Sequence, residues 1–452
     1  MNAPAHPIEQ LYAALPDLDW VTEANRIARL SQDFSWFSPV LKRQLAGKTA
    51  GAVARPRSEE EIRKLVSVCA KLRIPITVRG AGTGNYGQSV PLHGGVILDM
   101  SGYNAFLWAR NGAARAQAGI RLVDFEKQSR EATGMELRCL PSTFRSATLG
   151  GLFGGGFGGV GSINHGPLAA RGNVLGIKAI TFEEQPQLVE LRGSDALAMH
   201  HVWGTNGIVL EIELALAPAV DWMESIVVFD GFDAALEFGN AVANGPGIVK
   251  REVGFLAAPV PDYMKALADH LPAGCHAIFL VTAPSSEVAV LELVQQYGGK
   301  VSYRMTADQI THRTLVEFLW NHTTLQAFKV DKNITYLQSA FTPGQHLEQI
   351  RRMEQLLGGE VLLHAEFIRN IEGLMTCTAL QIVKYTTEQR LQEIMDIFRT
   401  NGVRINDPHV HIVEDGRTNG ELPEAVLAAK KRFDPLGLLN PGKARAFMKA
   451  AA

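Results

Sequence analysis

The sequence has few cysteines, no surplus of basic residues and no long apolar run, and each shortage excludes a class of protein. Its four cysteines (Cys69, Cys139, Cys275 and Cys377) lie far apart and form no CxxC pair. This spacing argues against an iron–sulfur cluster, a structural zinc site and a disulfide framework. The formal net charge of the 452 residues is −2, so nothing favours nucleic acid or anionic lipid as a partner.

The sequence also shows no segment of the kind that directs a protein to or across a membrane. No window approaches the ~20 consecutive apolar residues of a membrane helix. The first ten residues lack a basic start followed by an apolar stretch, so we expect no secretory signal. Together these absences predict a cytoplasmic protein without a membrane span.

Glycine, in contrast, is abundant and is concentrated in two stretches. Residues 79–87 read RGAGTGNYG directly after the apolar run 74–78, and a second stretch runs from 150 to 166. Glycine costs backbone entropy, so such density needs a local reason. The usual reason is close approach of the main chain to a ligand, with N–H groups turned toward phosphate. The two stretches predict a long, flat, phosphate-bearing cofactor held from both sides.

The first stretch contains a GxGxxG string but does not fit a nicotinamide dinucleotide site. Such a site requires a helix directly after the loop and an acidic residue about twenty positions on. Here the loop continues into Gln88–Gly95, which cannot start a helix, and Asp99 is a poor substitute for the ribose-binding acid. A plain glycine-rich turn remains the other alternative at this point.

Six blocks follow one another along the chain: VARPRSEEE (53–61), RGAGTG followed by VILDM (79–100), PST (141–143), ATLGG (147–151), RGNVLG (171–176) and GTNGIV (204–209). The tail 433–443 reads FDPLGLLNPGK. The six blocks resemble the vanillyl-alcohol oxidase and p-cresol methylhydroxylase flavoproteins, and the tail resembles their glycolate and D-lactate dehydrogenase branch. Any one block is weak evidence, whereas their common order over residues 50–217 is specific.

The resemblance implies an α+β fold. It consists of a two-subdomain FAD-binding domain of the p-cresol methylhydroxylase type and an α+β cap, or substrate, domain with an antiparallel sheet. With the fall in glycine density after Pro218, we expect an N-terminal helical segment at 1–46 and an FAD-binding domain at 47–218. The cap domain then covers 219–416, and the C-terminal segment 417–452 returns to the FAD domain.

The resemblance also implies which residues hold FAD. Main-chain amides of residues 80–86 would bind the pyrophosphate, with the hydroxyls of Thr83 and Ser142 as neutral donors. The main chain of Ile208 would meet the adenine end. The expected FAD-binding residues are Arg79, Gly80, Ala81, Gly82, Thr83, Gly84, Asn85, Tyr86, Pro141, Ser142, Thr143, Thr148, Gly150, Gly151, Gly155, Gly158, Ile208 and Asn440.

Family members with a covalent flavin carry a histidine in the first loop, where this chain has Thr83. No histidine lies between Arg79 and Val90. Cys139 precedes the PST block, but its spacing to Gly150 does not match the branch that has a cysteinyl link, and we expect a buried structural thiol. We therefore predict FAD that is bound noncovalently.

Histidines are the first candidates for a base, because oxidation of an alcohol or amine removes a proton as well as a hydride. The histidine-rich metal motifs of the 2-hydroxyacid branch are absent as written. We predict no metal, with His409, His411 and Glu414 as the weak candidate ligands. If Val410–Val413 is a strand, His409 and His411 share one face. They then act as a base and its orienting group, as metal ligands, or as polar residues of a partly exposed strand before a turn.

A second cluster begins at Trp320, Asn321 and His322 and is followed by Lys329 and Tyr336. It could form the wall that faces the flavin and bind a substrate carboxylate, with His322 as a candidate catalytic residue, or it is a helix end with a solvated face. Two further candidates come later in the chain. His364 is a candidate base or a satisfied core residue, and Arg369 is a candidate carboxylate ligand.

These observations predict an FAD-dependent oxidoreductase that removes a hydride from a CH–OH group of a small organic substrate. The tail points to a D-2-hydroxy acid. The alternatives are an aromatic or allylic alcohol, an amine, or a flavin-binding subunit without turnover of its own. Oxygen, a quinone and a carrier protein all stay open as electron acceptor. The N-terminal segment could pack on its own FAD domain or on a second subunit, which leaves a homo-oligomer open.

Overall fold

The structure, a computed structural model, describes residues 7–311, 313–417 and 419–448 and contains four β-sheets. The strands are β1 (Trp20–Val21), β2 (Ala52–Ala54), β3 (Ile76–Arg79), β4 (Val96–Asp99), β5 (Phe106–Arg110), β6 (Ala113–Gln117), β7 (Met135–Leu137), β8 (Val174–Ile180), β9 (Leu188–Arg192), β10 (Ile208–Pro218), β11 (Met223–Phe229), β12 (Lys250–Leu256), β13 (His276–Thr282), β14 (Lys300–Met305), β15 (Ile334–Tyr336), β16 (Gln338–Ala340), β17 (Val361–Leu362), β18 (His364–Arg369), β19 (Met375–Ala379), β20 (Ile382–Lys384) and β21 (Arg404–Asn406).

Helices pack against these sheets on several faces. They are α1 (Pro7–Ala14), α2 (Ala24–Leu30), α3 (Pro39–Gln44), α4 (Glu59–Lys71), α5 (Leu122–Thr133), α6 (Leu149–Gly155), α7 (Ser162–His165), α8 (Ser194–Leu197), α9 (Phe232–Asn244), α10 (Glu287–Gln296), α11 (Asn321–Val330), α12 (His346–Leu357), α13 (Glu388–Thr400), α14 (Glu424–Phe433) and α15 (Arg445–Met448).

The first sheet has the order β1-β2-β4-β3, with β2, β4 and β3 parallel. Helix α4 connects β2 to β3, and its N-terminus is capped by Ser58, whose hydroxyl accepts from the Glu61 N–H at 3.2 Å. The Glu61 carboxylate accepts in turn from the Arg57 N–H, which is one residue earlier than the N–H that a usual capping box binds. Because β3 ends at Arg79, the first glycine loop leaves the carboxyl end of a parallel strand.

The second sheet is antiparallel, with the order β5-β6-β10-β8-β9 and β7 paired to β10. Helices α5 and α6 pack on it through apolar residues such as Leu122, Phe125 and Leu152. This packing fixes the start of the second glycine stretch against the end of β6, because the Gly150 N–H donates to the Ala118 carbonyl at 2.7 Å.

The third sheet has eight strands in the order β14-β11-β13-β12-β18-β19-β16-β21, and its pairs are antiparallel. Helices α9, α10, α12 and α13 join one apolar core with it. Helix α11 and the segment around Phe37 join another core, which includes Trp320 and Tyr336. The small sheet β15-β20-β17 completes the fold. The α+β class with an antiparallel sheet is confirmed, while the predicted domain boundaries stay a prediction.

The C-terminal tail returns to the first sheet. Leu439 forms a parallel bridge with Ile76, and the Asn440 N–H donates to the Ile76 carbonyl at 2.8 Å. The tail therefore adds chain to the edge of β3 and brings Asn440 behind the first glycine loop.

Candidate cofactor and substrate site

A cavity of about 1720 Å³, measured together with the open space at its mouth, lies between the glycine stretches and the end of the eight-stranded sheet. We call its lining residues between 78 and 209 the glycine wall. The facing surface, the amide wall, consists of Trp320, Asn321, Gln338, Thr378, Ala379, Leu380 and Asn406.

The first loop presents a row of main-chain donors in the glycine wall. Within the described chain, the N–H groups of residues 80–84 donate to no protein acceptor. Main-chain donors that find no partner in their own chain are the usual means of holding an anion such as a phosphate. Only glycine fits at position 80 beside Thr148, because a Cβ there would lie 2.0 Å from Thr148 Oγ1.

Arg79 holds this loop from behind. Its guanidinium donates to the carbonyls of Gln32 at 2.7 Å and Ala81 at 3.3 Å, and to the Ser89 hydroxyl at 3.2 Å. The guanidinium of Arg79 therefore stabilises the loop itself through these hydrogen bonds.

Helix α6 supplies the next part of the glycine wall but not free donors. The N–H groups of Leu149 and Gly150 bond to the carbonyls of Ile120 and Ala118, and the Gly151 N–H bonds to Thr148 Oγ1 at 3.2 Å. Farther along the helix, a Cβ at Gly154 would meet no atom within 4 Å. The helix thus packs tightly at its start and offers a smooth surface to the cavity farther on.

The loop before β10 closes the glycine wall. Trp203 stacks on Tyr86 with 5.6 Å between ring centroids, and it adopts a left-handed φ of 56° that strains a non-glycine residue. Asn440 Nδ2 donates to the carbonyls of Gln88 at 2.8 Å and Trp203 at 2.7 Å. Asn440 thereby joins this loop to the first one from outside the cavity.

The amide wall touches the glycine wall through two side-chain hydrogen bonds. Asn321 Nδ2 donates to Asn85 Oδ1 at 2.7 Å, and the Tyr86 hydroxyl donates to Gln338 Oε1 at 2.5 Å. Gln338 on β16 is directly paired with Asn406 on β21. Neutral amides therefore meet the first loop.

Trp320 is fixed at the edge of the amide wall by two buried carboxylates. Its main-chain N–H donates to Glu366 Oε1 at 2.6 Å and its indole N–H to Glu252 Oε2 at 3.1 Å. Burial and the neighbouring Glu366 raise the pKa of Glu252. Trp320, with a left-handed φ of 54°, stands between these acids and the cavity.

Comparison with known proteins identifies the cofactor. Residues 50–185 match the family model described as an FAD binding domain. The chain is an FAD-linked oxidoreductase that carries this domain. Its cofactor is FAD, and the free N–H groups of the first loop and the glycine surface of α6 fit a flat molecule that carries phosphates.

Two relatives of this oxidoreductase are matched over most of its length. It is 24% identical over 427 residues to the glycolate oxidase subunit GlcD of Bacillus subtilis, which covers 87% of this chain and 88% of the relative. It is 26% identical over 424 residues to the GlcD subunit of Escherichia coli, with 86% and 83% covered. A D-lactate dehydrogenase of Anaerostipes hadrus is 27% identical over 182 residues, or 38% of this chain and 37% of the relative.

The fold agrees with that of a solved structure. An alkyldihydroxyacetonephosphate synthase structure superposes with a TM-score of 0.72 at 17% identity, covering 98% of this chain and 85% of that chain. This likeness concerns the fold alone. Among the described residues, no helix combines the length and the apolar character needed to cross a membrane.

The structure brings most of the residues predicted to bind FAD together around one cavity. All of them line the cavity of the oxidoreductase except Ile208 and Asn440. Ile208 is fully buried at the start of β10, between the lining residues Gly207 and Val209. That the lining residues bind FAD stays a prediction.

The four predicted catalytic histidines lie outside the lining. His409 is 5% exposed, and both ring nitrogens are bonded, Nδ1 to Ser38 Oγ at 2.8 Å and Nε2 to the Tyr336 carbonyl at 2.9 Å. Burial lowers the pKa of His409 to about 4. It ties the N-terminal segment to β15.

The predicted histidine face at 409–411 does not form, because β21 ends at Asn406 and residues 407–413 are turns and bends. His411 Nδ1 lies 3.0 Å from Gln44 Oε1, whereas Glu414 accepts from the Ala446 N–H at 2.9 Å. The described residues contain no cluster of three metal-ligating side chains, so His409, His411 and Glu414 are not brought together as a metal site.

The other two histidines lie closer to the walls. Burial lowers the pKa of His322, which lies beside the main chain of Ser142 in the glycine wall. His364 is fully buried, with Nε2 2.7 Å from Glu366 Oε1 and 3.1 Å from the Thr323 hydroxyl. The catalytic roles of all four histidines stay predictions.

Sequence reasoning found part of the amide wall and missed the rest. Trp320 and Asn321 do line the cavity, which the first alternative for their cluster, a wall that faces the flavin, requires. Arg369 does not, because it is on the surface and donates to the Gly373 carbonyl at 2.8 Å. Gln338, Thr378 and Asn406 were missed, because isolated polar residues on short strands carry no local signal of a site.

Proposed function

We propose that this oxidoreductase removes a hydride from a CH–OH group of a small organic substrate bound between FAD and the amide wall. The observation that carries the proposal is the pairing of the two walls of the cavity. The glycine wall has free main-chain N–H groups at residues 80–84, and the amide wall that faces it has uncharged polar side chains. FAD, when bound, supplies the hydride acceptor. The chain binds the phosphates through the first loop and orients the substrate through the amide wall.

The described residues of the lining support noncovalent attachment of the flavin. They include no histidine and no cysteine. Cys139, the cysteine before the PST block, is 3% exposed, and burial raises the pKa of its thiol to about 12. A protonated, enclosed thiol is a poor nucleophile. Acid precipitation should leave the flavin in the supernatant, and flavin in the pellet would contradict this.

The FAD claim itself is tested by colour and titration. Purified protein should be yellow, or should become so when FAD is added, with a saturable change in flavin fluorescence. Colourless protein that cannot be reconstituted would refute the assignment of the cavity. Treatment with riboflavin in place of FAD separates the two parts of the site, because riboflavin lacks the phosphates that the first loop is proposed to bind.

The relatives named for glycolate and D-lactate make a D-2-hydroxy acid the first substrate to test. An aromatic or allylic alcohol and an amine are the alternatives. Anaerobic mixing with a panel of all three classes distinguishes them, since the substrate class bleaches the flavin. If no compound bleaches bound FAD, the chain is a flavin-binding subunit without its own turnover. Oxygen, a quinone and a carrier protein can then be compared as acceptors for the reduced enzyme.

A further inference from the structure

A fully buried lysine lies directly behind the first glycine loop. Lys443, the last residue of the tail 433–443, is 0% exposed. Its Nζ donates to the carbonyl of Gly87 at 2.6 Å, and Gly87 stands between Tyr86 and Gln88, which both line the cavity. The ammonium group is therefore held just behind the surface of the glycine wall.

The hydrogen bond from Lys443 is not needed to satisfy the loop. The Gly87 carbonyl also accepts from the Val90 N–H at 3.1 Å, so it keeps a partner when the lysine is replaced. An ammonium group has three donors, and the Gly87 carbonyl is the one acceptor that it has among the described residues. An apolar side chain of similar length would fill this space without the cost of burying a cation.

Lys443 also lacks the counter-charge that a buried lysine normally has. Lys430 provides the contrast, because it is 4% exposed and its Nζ lies 2.5 Å from the Asp434 carboxylate. Within the described part of the chain, Lys443 forms no such ion pair. Burial lowers the pKa of Lys443 to about 7 despite the opposing effect of Asp33.

The buried charges behind the loop leave a positive excess. Asp33 is 6% exposed and acts electrostatically on both Arg79 and Lys443. Its carboxylate is already engaged by two main-chain N–H groups. Asp99, which also acts on Arg79, is paired with Arg55 at 2.9 Å. Two buried cations therefore share one carboxylate.

An anion bound on the open side of the loop would balance this excess. The N–H groups of residues 80–84 donate to no acceptor of the described chain, and the proposed function assigns them to the phosphates of FAD. Opposite charges attract through several ångströms of protein without touching, because the effective dielectric constant there is far below that of water. Phosphates in the loop would therefore stabilise the charged form of Lys443.

We propose that Lys443 is the electrostatic partner of the FAD phosphates and attracts them through the first loop from behind. This inference rests on the proposed binding of the phosphates by residues 80–84. It gives the tail a role in cofactor affinity in addition to the chain that it adds beside β3. The charged lysine and bound FAD stabilise each other, so the loss of either charge weakens the other state.

Lys443→Met tests the charge at nearly constant side-chain length. The free energy of unfolding of the apoprotein, measured with urea, should stay the same or rise, because a buried cation without a counter-charge is removed. The dissociation constant of FAD at pH 6, measured by fluorescence titration, should increase about tenfold. A lysine that only supported the fold would instead lower the stability of the apoprotein.

The pH profile of FAD affinity gives a second signature. Between pH 6 and pH 9 the affinity of the wild type should fall about tenfold, because the free protein loses the lysine proton near pH 7 and the FAD complex keeps it to higher pH. Lys443→Met has no such proton, so its profile should be flat and should meet that of the wild type near pH 9.

Two other titratable groups, Asp33 and His411, act on or respond to Lys443. Burial lowers the pKa of His411, so it is uncharged throughout this range. Asp33→Asn separates the contribution of the carboxylate. The lysine proton is then held less tightly, and the fall in FAD affinity should move to lower pH. A flat profile in Asp33→Asn would assign the titration to Asp33 and overturn the inference.

Calorimetry in two buffers of different ionisation enthalpy measures the proton directly. At pH 7.5 the wild type should take up a fraction of a proton when it binds FAD, and Lys443→Met should take up none. Lys265→Met removes an exposed lysine that is not part of the lining. It is the matched control for the change in net charge and should behave as the wild type in every measurement.

The outcomes separate this inference from the proposed function. Equal FAD affinities, or parallel pH profiles, in the wild type and Lys443→Met would overturn the role of the lysine and leave the FAD site standing. A destabilised apoprotein would overturn it as well, because the lysine would then be a structural support. If the wild type binds no FAD at any pH, the proposed use of the cavity fails together with the inference.

Discussion

The two walls of the cavity bind through different chemical groups. The glycine wall offers main-chain N–H groups in a loop where side chains are excluded, as the 2.0 Å approach of a Gly80 Cβ to Thr148 illustrates. The amide wall offers side chains, among them Asn321, Gln338 and Asn406. Each wall also holds one tryptophan in a left-handed conformation, Trp203 and Trp320.

This difference indicates in which wall single substitutions can alter what is bound. A wall of main chain depends on backbone shape, so a single side chain added there disturbs the whole loop. A wall of side chains is altered one group at a time. We therefore expect substitutions in the glycine wall to act on FAD binding and substitutions in the amide wall to act on the substrate.

The largest effect is expected from Gly80→Ala. Its Cβ would displace the Thr148 side chain that caps α6, and overpacking of this kind typically costs about 1–3 kcal/mol. FAD affinity, measured by fluorescence titration, should fall by up to about a hundredfold. Gly247→Ala is the matched control, because a Cβ there meets no atom within 4 Å.

A double variant shows whether the contact with Thr148 is the cause. In Gly80→Ala combined with Thr148→Ala, the hydroxyl that lies 2.0 Å from the new Cβ is gone, so part of the affinity should return. If the double variant binds FAD no better than Gly80→Ala, the loop does not depend on this contact and the comparison of the walls loses its basis.

The next effect is that of low pH on stability. It should act through buried residues that support the walls, such as His409, rather than through the residues that line the cavity. Burial lowers the pKa of His409 from 6.5 to about 4, so the folded state binds fewer protons than the unfolded state between these values. The contribution of His409 to the free energy of unfolding is therefore complete above about pH 6.5 and is lost as the pH drops toward 4. Urea unfolding at a series of pH values measures it.

His409→Gln provides the comparison for the acid series. Glutamine does not titrate, so the slope of unfolding free energy against pH should become smaller between pH 6.5 and 4. Burial also lowers the pKa of His200 to about 3 and that of His201 to about 4, so some slope should remain. If His409→Gln instead abolishes flavin reduction with the slope unchanged, the residue is catalytic and not structural.

The smallest effect is expected where the walls meet. Gln338→Leu leaves the hydroxyl of the half-buried Tyr86 without its acceptor, which typically costs about 1 kcal/mol. Thermal unfolding of the apoprotein should show the loss, and addition of Tyr86→Phe should restore most of it, as a double-mutant cycle reveals. Equal losses in the single and double variants would mean that this bond does not join the walls.

Local patterns predicted the parts of this protein that local chemistry controls. A serine cap and apolar residues at helical spacing predict a helix over residues 60–72, and the structure has it at Glu59–Lys71. The α+β class and the FAD cofactor followed from ordered blocks. The strand expected at 410–413 is wrong, because alternation of two histidines with valine and isoleucine says nothing about an available neighbouring strand.

By itself, the sequence determined where the main chain must approach a ligand, because only glycine permits a contact such as that of Gly80 with Thr148. Only the tertiary structure decided which side chains face that ligand. Asn85 meets Asn321 across 236 residues, and Tyr86 meets Gln338 across 252. An amide on a strand gives the same local signal in solvent and in a cavity, so its role depends on what the fold places opposite it.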